Sequence, residues 1–417
     1  MAPTPILTLS ETMLTFGGNP LFDGINLTIH SMERICLVGR NGSGKSTLLK
    51  VMAGIVQPDG GGRFLQPGCA VSYLAQEPDF SGFETLFDYA CANLDPADFY
   101  RVEMAMEGIK LNPDIKCVDA SGGERRRAAI AQILSSDAEL MLLDEPTNHL
   151  DIIAIAWLEN HLQQTRKAFV LISHDRAFLR NLTRTTLWID RGVVRRQNKG
   201  FADFEEWRDK VFEDEDMQRH KLNRLIKAEA RWAVEGISGR RKRNMGRVRR
   251  LGEMRDERSA QIRQTGTAAM AFDAGPKSGK LVVDARDIAK AFGTTAIISD
   301  FTMKINRGER IALVGPNGTG KTTLLKILTG EIEPDSGTIK LGTNLSKATF
   351  DQNRDALNPN QSLWEALTED PILGVSGKND QVMVRGVPRH VVGYLKDFLF
   401  SEAQARAPVR SLSGGEK

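Results

Sequence analysis

Two stretches of this sequence have the residue types and spacing to hold a chain of phosphates. The first is Gly39-Arg40-Asn41-Gly42-Ser43-Gly44-Lys45-Ser46, followed by Thr47. The second is Gly315-Pro316-Asn317-Gly318-Thr319-Gly320-Lys321-Thr322, followed by Thr323. Both fit G-x-x-x-x-G-K-[ST], and the chemistry uses each part. Glycines let the backbone wrap round a phosphate with its N–H groups pointing inward. The helix that opens next adds partial positive charge. Lys45 and Lys321 supply a full charge for the outer phosphate oxygens. Ser46 and Thr322 supply a hydroxyl ligand for Mg2+. The apolar runs Ile35–Val38 and Ile311–Val314 precede the two loops and read as buried parallel strands.

A second group of residues suits hydrolysis of what such a loop holds. Glu139–Leu143 is an apolar run leading into Asp144-Glu145-Pro146-Thr147-Asn148-His149-Leu150-Asp151. Asp144 is placed to hold Mg2+, and Glu145 to orient and polarise an attacking water. The run Phe169–Ser173 delivers His174-Asp175, with His174 in reach of a terminal phosphate. A lone histidine is commonly structural; at the end of a strand in this company it reads as functional. Gln76 follows the strand-like Val71–Ala75 and is placed to touch both the metal and the water. Ser121-Gly122-Gly123-Glu124 opens a basic helical stretch from Arg125 to Leu134, a small-residue helix entry suited to an anion. Alone that tetrapeptide says little; between Gln76 and Asp144 it says more.

The elements that position these groups occur twice. Glu33–Gly61 and Glu309–Gly337 match at 18 of 29 positions with a constant offset of 276. The offset carries Phe16 to Phe292 and Gln76 to Gln352. Ser121-Gly122-Gly123 corresponds to Ser413-Gly414-Gly415 at an offset of 292, so copy two is longer by about 16 residues before that motif. So long a period indicates a duplicated domain rather than a repeat array. The layout is a first domain over residues 5–207, a charged helical linker over 208–264, a polar connector over 265–280 and a second domain over 281–417.

Composition agrees with this reading. The 417 residues are 41% hydrophobic, 26% charged and only 6% aromatic, which suits an α/β protein. Net charge is only +3, but Arg219–Arg263 holds 15 Lys/Arg against 5 Asp/Glu. That excess indicates a polyanionic partner; the plainer reading is a solvated helix face. Within it, Asp209–Glu235 has helical spacing at Leu222, Leu225, Ile226 and Ala230. Gly236-Ile237-Ser238-Gly239 breaks the pattern. Arg240-Arg241-Lys242-Arg243 follows, and a second charged helix runs to about Arg263. The pattern is a helical hairpin with a basic tip. Cys36, Cys69, Cys91 and Cys117 form no C-x-x-C pair and read as free thiols in a reducing compartment. No apolar run is long enough to span a membrane, and the N-terminus lacks the pattern of a signal peptide. A cytoplasmic location is expected.

In this order, these motifs resemble the ABC ATPases: Walker A at 39–46, Gln76 of the Q-loop, the signature at Ser121–Glu124, Walker B Asp144, Glu145, Asp151 of the D-loop and the switch His174. Two such domains without a membrane part, and the run DEPTNHLD at 144–151, resemble the ABC-F branch. GISGRRKRNMGRVRRLGEMRDER at 236–258 and GYLKDFLF with PVRSLSGGE at 393–416 are similar to the Uup-type members. The resemblance implies an α/β fold: two P-loop NTPase domains with mixed sheets and helical subdomains, joined by the charged hairpin. It implies ATP and Mg2+ as cofactors. Each ATP would lie between the Walker A of one domain and the signature of the other. One site would combine Phe16, Gly39–Thr47, Gln76, Asp144, Glu145 and His174 with Ser413, Gly414 and Gly415. The other would combine Phe292, Gly315–Thr323 and Gln352 with Ser121, Gly122 and Gly123, with Thr322 and Gln352 toward the metal.

Three departures accompany the resemblance. Ala120 stands where the family usually has Leu. Copy one is short between Gln76 and Ser121. Copy two stops at its signature and lacks its own Walker B, catalytic glutamate and switch histidine, so it is incomplete and expected to leave strand edges open. The function implied is ATP hydrolysis driving closure of the two domains, at the ribosome in translation or ribosome assembly. Contact with RNA would fall to Arg240, Arg241, Lys242, Arg243, Arg247, Arg249 and Arg250, because clustered arginine neutralises phosphates without sequence readout. The alternative is ATP-dependent binding of branched DNA intermediates in DNA repair. A transporter subunit at a membrane is argued against by the fused pair and its connector.

Overall fold

The computed structural model describes residues 4–16, 19–75, 78–235, 245–260, 279–293, 295–345, 347–349, 358–370, 374–375, 378–384, 387–398 and 400–412. The chain divides into two compact units, taken in turn. The first opens with long strands β1 (Pro5–Phe16) and β2 (Asn19–His30), then β3 (Arg34–Gly39), α1 (Lys45–Ala53), β4 (Gly60–Leu65) and β5 (Val71–Leu74). A helical part follows: α2 (Leu86–Cys91), α3 (Phe99–Gly108) and α4 (Gly122–Ser135). Then come β6 (Leu140–Asp144), α5 (Ile152–Gln164), β7 (Ala168–Ile172), α6 (Arg176–Leu182), β8 (Thr185–Asp190) and β9 (Val193–Gln197).

Two sheets result. One is antiparallel, in the order β2-β1-β4. The other runs β5-β6-β7-β3-β8-β9, parallel except where β9 returns along β8. Every residue of β6 and β7 is buried, as is Ile35–Leu37 of β3, because both faces of such a sheet are covered. The apolar runs read from the sequence are these strands. β3 lies between β7 and β8, pairing Ile35 with Val170 on one edge and Cys36 with Thr186 on the other. Its carboxyl end therefore sits beside those of β6 and β7, where an open α/β sheet gathers its functional loops. Cys36, Cys91 and Cys117 are buried free thiols, and Cys69 is half-buried.

The connector starts inside this unit. Helix α7 (Phe204–Glu235) begins four residues before the expected boundary, and α8 (Met245–Ala260) packs back on it with Ile226 and Leu251 buried. The base of α7 is fastened to the β8–β9 hairpin. Trp188 meets Phe204, Trp207 and Phe212 edge-on, at ring separations of 5.9, 5.7 and 5.3 Å. Glu215 receives Arg191 at 2.7 Å and Arg195 at 2.5 Å. Arg249 and Arg250 are exposed. Arg240, Arg241, Lys242 and Arg243, and the side chain of Arg247, lie outside the described residues. No described helix is long and apolar enough to cross a membrane.

The second unit repeats the first in part. Strands β10 (Leu281–Phe292), β11 (Thr295–Asn306) and β12 (Ser336–Leu341) rebuild the antiparallel sheet, and α9 (Lys321–Leu328) rebuilds α1. The copying reaches detail. Leu7 pairs with Ile29 and Val283 with Ile305. Glu11 and Asp287 both take positive φ, 47° and 49°. Gly61 and Gly337 (φ 82° and 89°) lie so close to those strands that any Cβ would strike backbone at 2.2 and 2.4 Å. Beyond α10 (Leu363–Thr368), strands β13 (Gly374–Val375), β14 (Lys378–Val384) and β15 (Val387–His390) form a small sheet, followed by α11 (Val391–Asp397) and α12 (Glu402–Arg406). That sheet occupies the stretch in which copy two is longer.

One expectation fails here. Ile311–Val314 is not a strand: it forms no ladder, and Ile311 and Val314 are 44% and 75% exposed. Their counterparts Ile35 and Leu37 are 0% and 1% exposed. The reason is pairing. Both neighbours of β3 come after the Ser121 motif, whereas these 417 residues hold only Glu416 and Lys417 after Gly415. An apolar run without edge partners gains nothing from extending. Amide hydrogen exchange on the 417-residue chain is the check: amides of Ile311–Val314 are expected to exchange at least ~10³-fold faster than those of Ile35–Val38. Equal protection in the two runs would contradict the pairing argument.

Candidate nucleotide site

Each phosphate loop is shaped by its own residues. Gly44 ends the first loop at φ 91° and caps α1; Gly320 ends the second at φ 86° and caps α9. A Cβ at Gly44 would lie 2.8 Å from the Phe22 ring, so glycine is required there twice over. Lys45 Nζ donates to the carbonyl oxygens of Gly39 and Arg40, both at 3.0 Å. Lys321 Nζ does the same to Gly315 at 2.9 Å and Pro316 at 2.6 Å. Both lysines thus lie folded over their loops, and Asn41 and Gly42 are exposed. Copy two builds this cradle without a strand beneath it, since turn, glycine and helix start are local structure.

In copy one, β6 carries Asp144 into the space beside the loop. Asp144 is fully buried, and neither carboxylate oxygen has a hydrogen-bond partner of good geometry. Burial pushes its pKa up; the Ser46 hydroxyl, Arg126 and Lys45 pull it down. Tyr73 of β5 stands on the same carboxylate; burial and then the charge of Asp144 push its phenol up to about 12. Two orphaned acceptor oxygens beside a serine hydroxyl form the hard-oxygen donor set that Mg2+ takes. Ser46 and Asp144 are therefore suited to hold it.

Glu145 follows in a left-handed conformation, φ 50°, and is 7% exposed. Its N–H donates to Ile172 O at 2.9 Å. Its carboxylate accepts the His174 backbone N–H at 3.2 Å and lies 3.4 Å from His174 Nε2. Burial raises its pKa, and the His174 ring and N–H oppose the rise. Burial lowers the Lys45 pKa, against the pull of Glu145 and Asp144. The hydroxyls of Thr147 and Ser173 meet at 3.0 Å, joining the two loops that carry Glu145 and His174. Asp175 caps α6 by accepting from Ala177 and Phe178, so His174 sits just ahead of a fixed helix start.

The structure thus brings together Lys45, Ser46, Asp144, Glu145 and His174. Ser121 caps α4 in a box with Glu124, leaving Ser121, Gly122 and Gly123 in the entry to that helix. Phe292 is half-exposed with Lys290 Nζ over its ring at 5.8 Å, and Thr322 and Thr323 lie in the first turn of α9. Gln76, Gln352, Ser413, Gly414 and Gly415, and the side chain of Phe16, lie outside the described residues. Sequence reasoning missed Arg126, which is 5% exposed and donates to the carbonyl oxygens of Ala75, Asp144 and Glu145. A signal existed. Arg126 shares a helical face with Ala129, Ile130 and Ile133, all buried, whereas Arg125 and Arg127 are only partly buried.

Comparison with known proteins shows the family of the chain. The family described as ABC transporter matches residues 22–148 and 298–417. The chain is 46% identical to the ATP-binding protein Uup of Caulobacter vibrioides, over 100% of this chain and 67% of that protein. It is 35% identical to the Uup of Escherichia coli, over 99% of this chain and 70% of that protein. It is 30% identical to the energy-dependent translational throttle protein EttA of Escherichia coli, over 95% and 78%.

The buried Asp144 sets a pH prediction. Its folded pKa lies above its unfolded value near 3.8. The stability it contributes is therefore full below that value and is lost as pH rises through the folded pKa. Without nucleotide or Mg2+, Asp144→Asn is expected to raise unfolding free energy by ~1–3 kcal/mol at pH 8, with the gain vanishing near pH 4. Thermal and denaturant unfolding across pH measure this; an Asn variant no more stable at pH 8 would contradict it.

Proposed function

The chain belongs to the ABC ATPases, in the Uup-type ABC-F branch, and from that premise we propose that copy one is its hydrolytic site and the ribosome its place of action, in translation or ribosome assembly. The observation that carries the first part is the pair Asp144–Glu145: one carboxylate with unpartnered oxygens, and next to it a second gripped by His174. Mg2+ bound with ATP would shield the phosphate charges. Lys45, now on the carbonyls of Gly39 and Arg40, would supply its charge to the outer phosphates. Asp144 and Ser46 would hold the metal. Glu145, made more basic by desolvation while the His174 ring and N–H favour its ionised form, accepts a proton from the attacking water. His174 steadies that carboxylate and would reach toward the terminal phosphate. Copy two has its own phosphate loop, in which Lys321 and Thr322 are placed to bind nucleotide.

The ribosomal part is supported by the basic connector, with Arg249 and Arg250 exposed on α8, and by the likeness to a protein named as a translational throttle. Charge of this kind attracts any phosphate backbone, so the partner must be separated by experiment. Competition between ribosomes and four-way DNA junctions at matched salt makes the separation, and junctions displacing ribosomes would favour the DNA reading.

Glu145→Gln is expected to lower ATP turnover by ~10²–10⁴-fold while leaving ATP affinity nearly unchanged. With ATP present it should also increase cosedimentation with ribosomes. Turnover at the parent rate would remove Glu145 from the role of base. Cosedimentation equal to that of the parent would remove the ribosome from the cycle.

A further inference from the structure

Three arginines in a row follow the Ser121 motif, and the fold sends them three ways. Arg125 donates to Cys117 O at 2.8 Å and Arg127 to Lys110 O at 3.1 Å, both toward the helical part. Arg126 alone turns into the sheet. Its Nη1 donates to Ala75 O, the last described residue before Gln76, and its Nη2 to Asp144 O and to Glu145 O at 3.2 Å. A buried guanidinium is retained only when its donors are satisfied, and here they are satisfied by backbone from two strand ends.

Those carbonyls matter because of what is attached to them. Glu145 holds a left-handed φ of 50°, a conformation that a non-glycine residue keeps only when its surroundings enforce it. Its N–H is fixed by Ile172 O and its carboxylate by His174. Arg126 fixes the remaining end of the peptide. The same side chain pins the backbone that leads into Gln76, and it stands in the second turn of the helix that Ser121 caps.

We infer that Arg126 is a positioning residue for hydrolysis: through three backbone carbonyls it holds the exit of β5 and the Glu145 peptide in one arrangement, and joins both to helix α4. Its hydrogen bonds all go to backbone carbonyls. Its planar fork reaches carbonyls on two strands at once, which lysine, a single-point donor, cannot do. Displacement of α4 then displaces the base, so the helix behind the Ser121 motif and the hydrolytic carboxylate move as one body. The inference rests on the reading of Glu145 as the base.

The test uses the 417-residue chain with Arg126→Ala, Arg126→Lys and, in parallel, Glu145→Gln. A shift of the base by about an ångström lowers turnover by ~10²-fold, and that is the loss expected for Arg126→Ala, with ATP affinity within about threefold of the parent. Millimolar guanidinium should restore part of the turnover of Arg126→Ala and none of that of Glu145→Gln. Arg126→Lys should fall between, keeping the charge but not the fork. Hydrogen exchange without nucleotide, which needs no turnover, should be faster over residues 144–148 in Arg126→Ala and unchanged over 35–38. Parent-like turnover and exchange in Arg126→Ala would overturn the inference. So would affinity, turnover and thermal midpoint falling together in both Arg126 variants without guanidinium rescue, the pattern of a merely structural residue. Parent-like turnover in Glu145→Gln would instead overturn the reading of the base.

Discussion

A strand buried on both faces must be hydrogen-bonded along both edges, and the first domain is organised round that requirement at β3. The strand that ends in the phosphate loop takes its neighbours β7 and β8 from more than a hundred residues downstream. Meeting the requirement brings the carboxyl ends of β6 and β7 alongside it. Asp144, Glu145 and His174 thus arrive near Lys45 as a by-product of strand pairing. Copy two makes the same point by contrast. Its loop, capping glycine and helix form, and its lysine folds over the loop as in copy one, yet the run before them is exposed coil. The cradle is local chemistry; the hydrolytic set is a property of the completed sheet.

Charge is the second organising term. Lys45, Arg126, Asp144 and Glu145 lie together in a desolvated region, and burial disfavours the charged form of each of them. Their mutual attraction opposes that, and backbone carbonyls absorb the donors of Arg126. The residual imbalance falls on Asp144, whose oxygens accept no hydrogen bond of good geometry. On the proposed reading, a cation with its nucleotide would supply what the fold leaves out at this carboxylate.

Most of copy one was legible because its signals are local or periodic. Ile35–Val38, Glu139–Leu143 and Phe169–Ser173 are apolar runs of strand length, and each became a strand. The glycine loops declare their own conformation. Ile311–Val314 has the same local signal and failed, because a run of amino acids does not reveal whether its pairing partners are present. Arg126 was overlooked for a related reason: three adjacent arginines look alike in composition, and only helical phase tells the inward one from its neighbours. The start of α7 at Phe204 was hidden because its first turns are anchored by aromatic contact with Trp188, a residue of another strand.

That anchoring has a mechanical consequence. Ile189, next to Trp188 on β8, lies beside Gly39 at the mouth of the phosphate loop. Helix α7, at 32 residues, is a rod of ~48 Å clamped at this end by Trp188 and Glu215. A tilt of one degree at the clamp moves its far end by ~0.8 Å over that length. The clamp lies close to the phosphate loop, so a displacement there too small to disturb packing would be magnified toward the far end of α7.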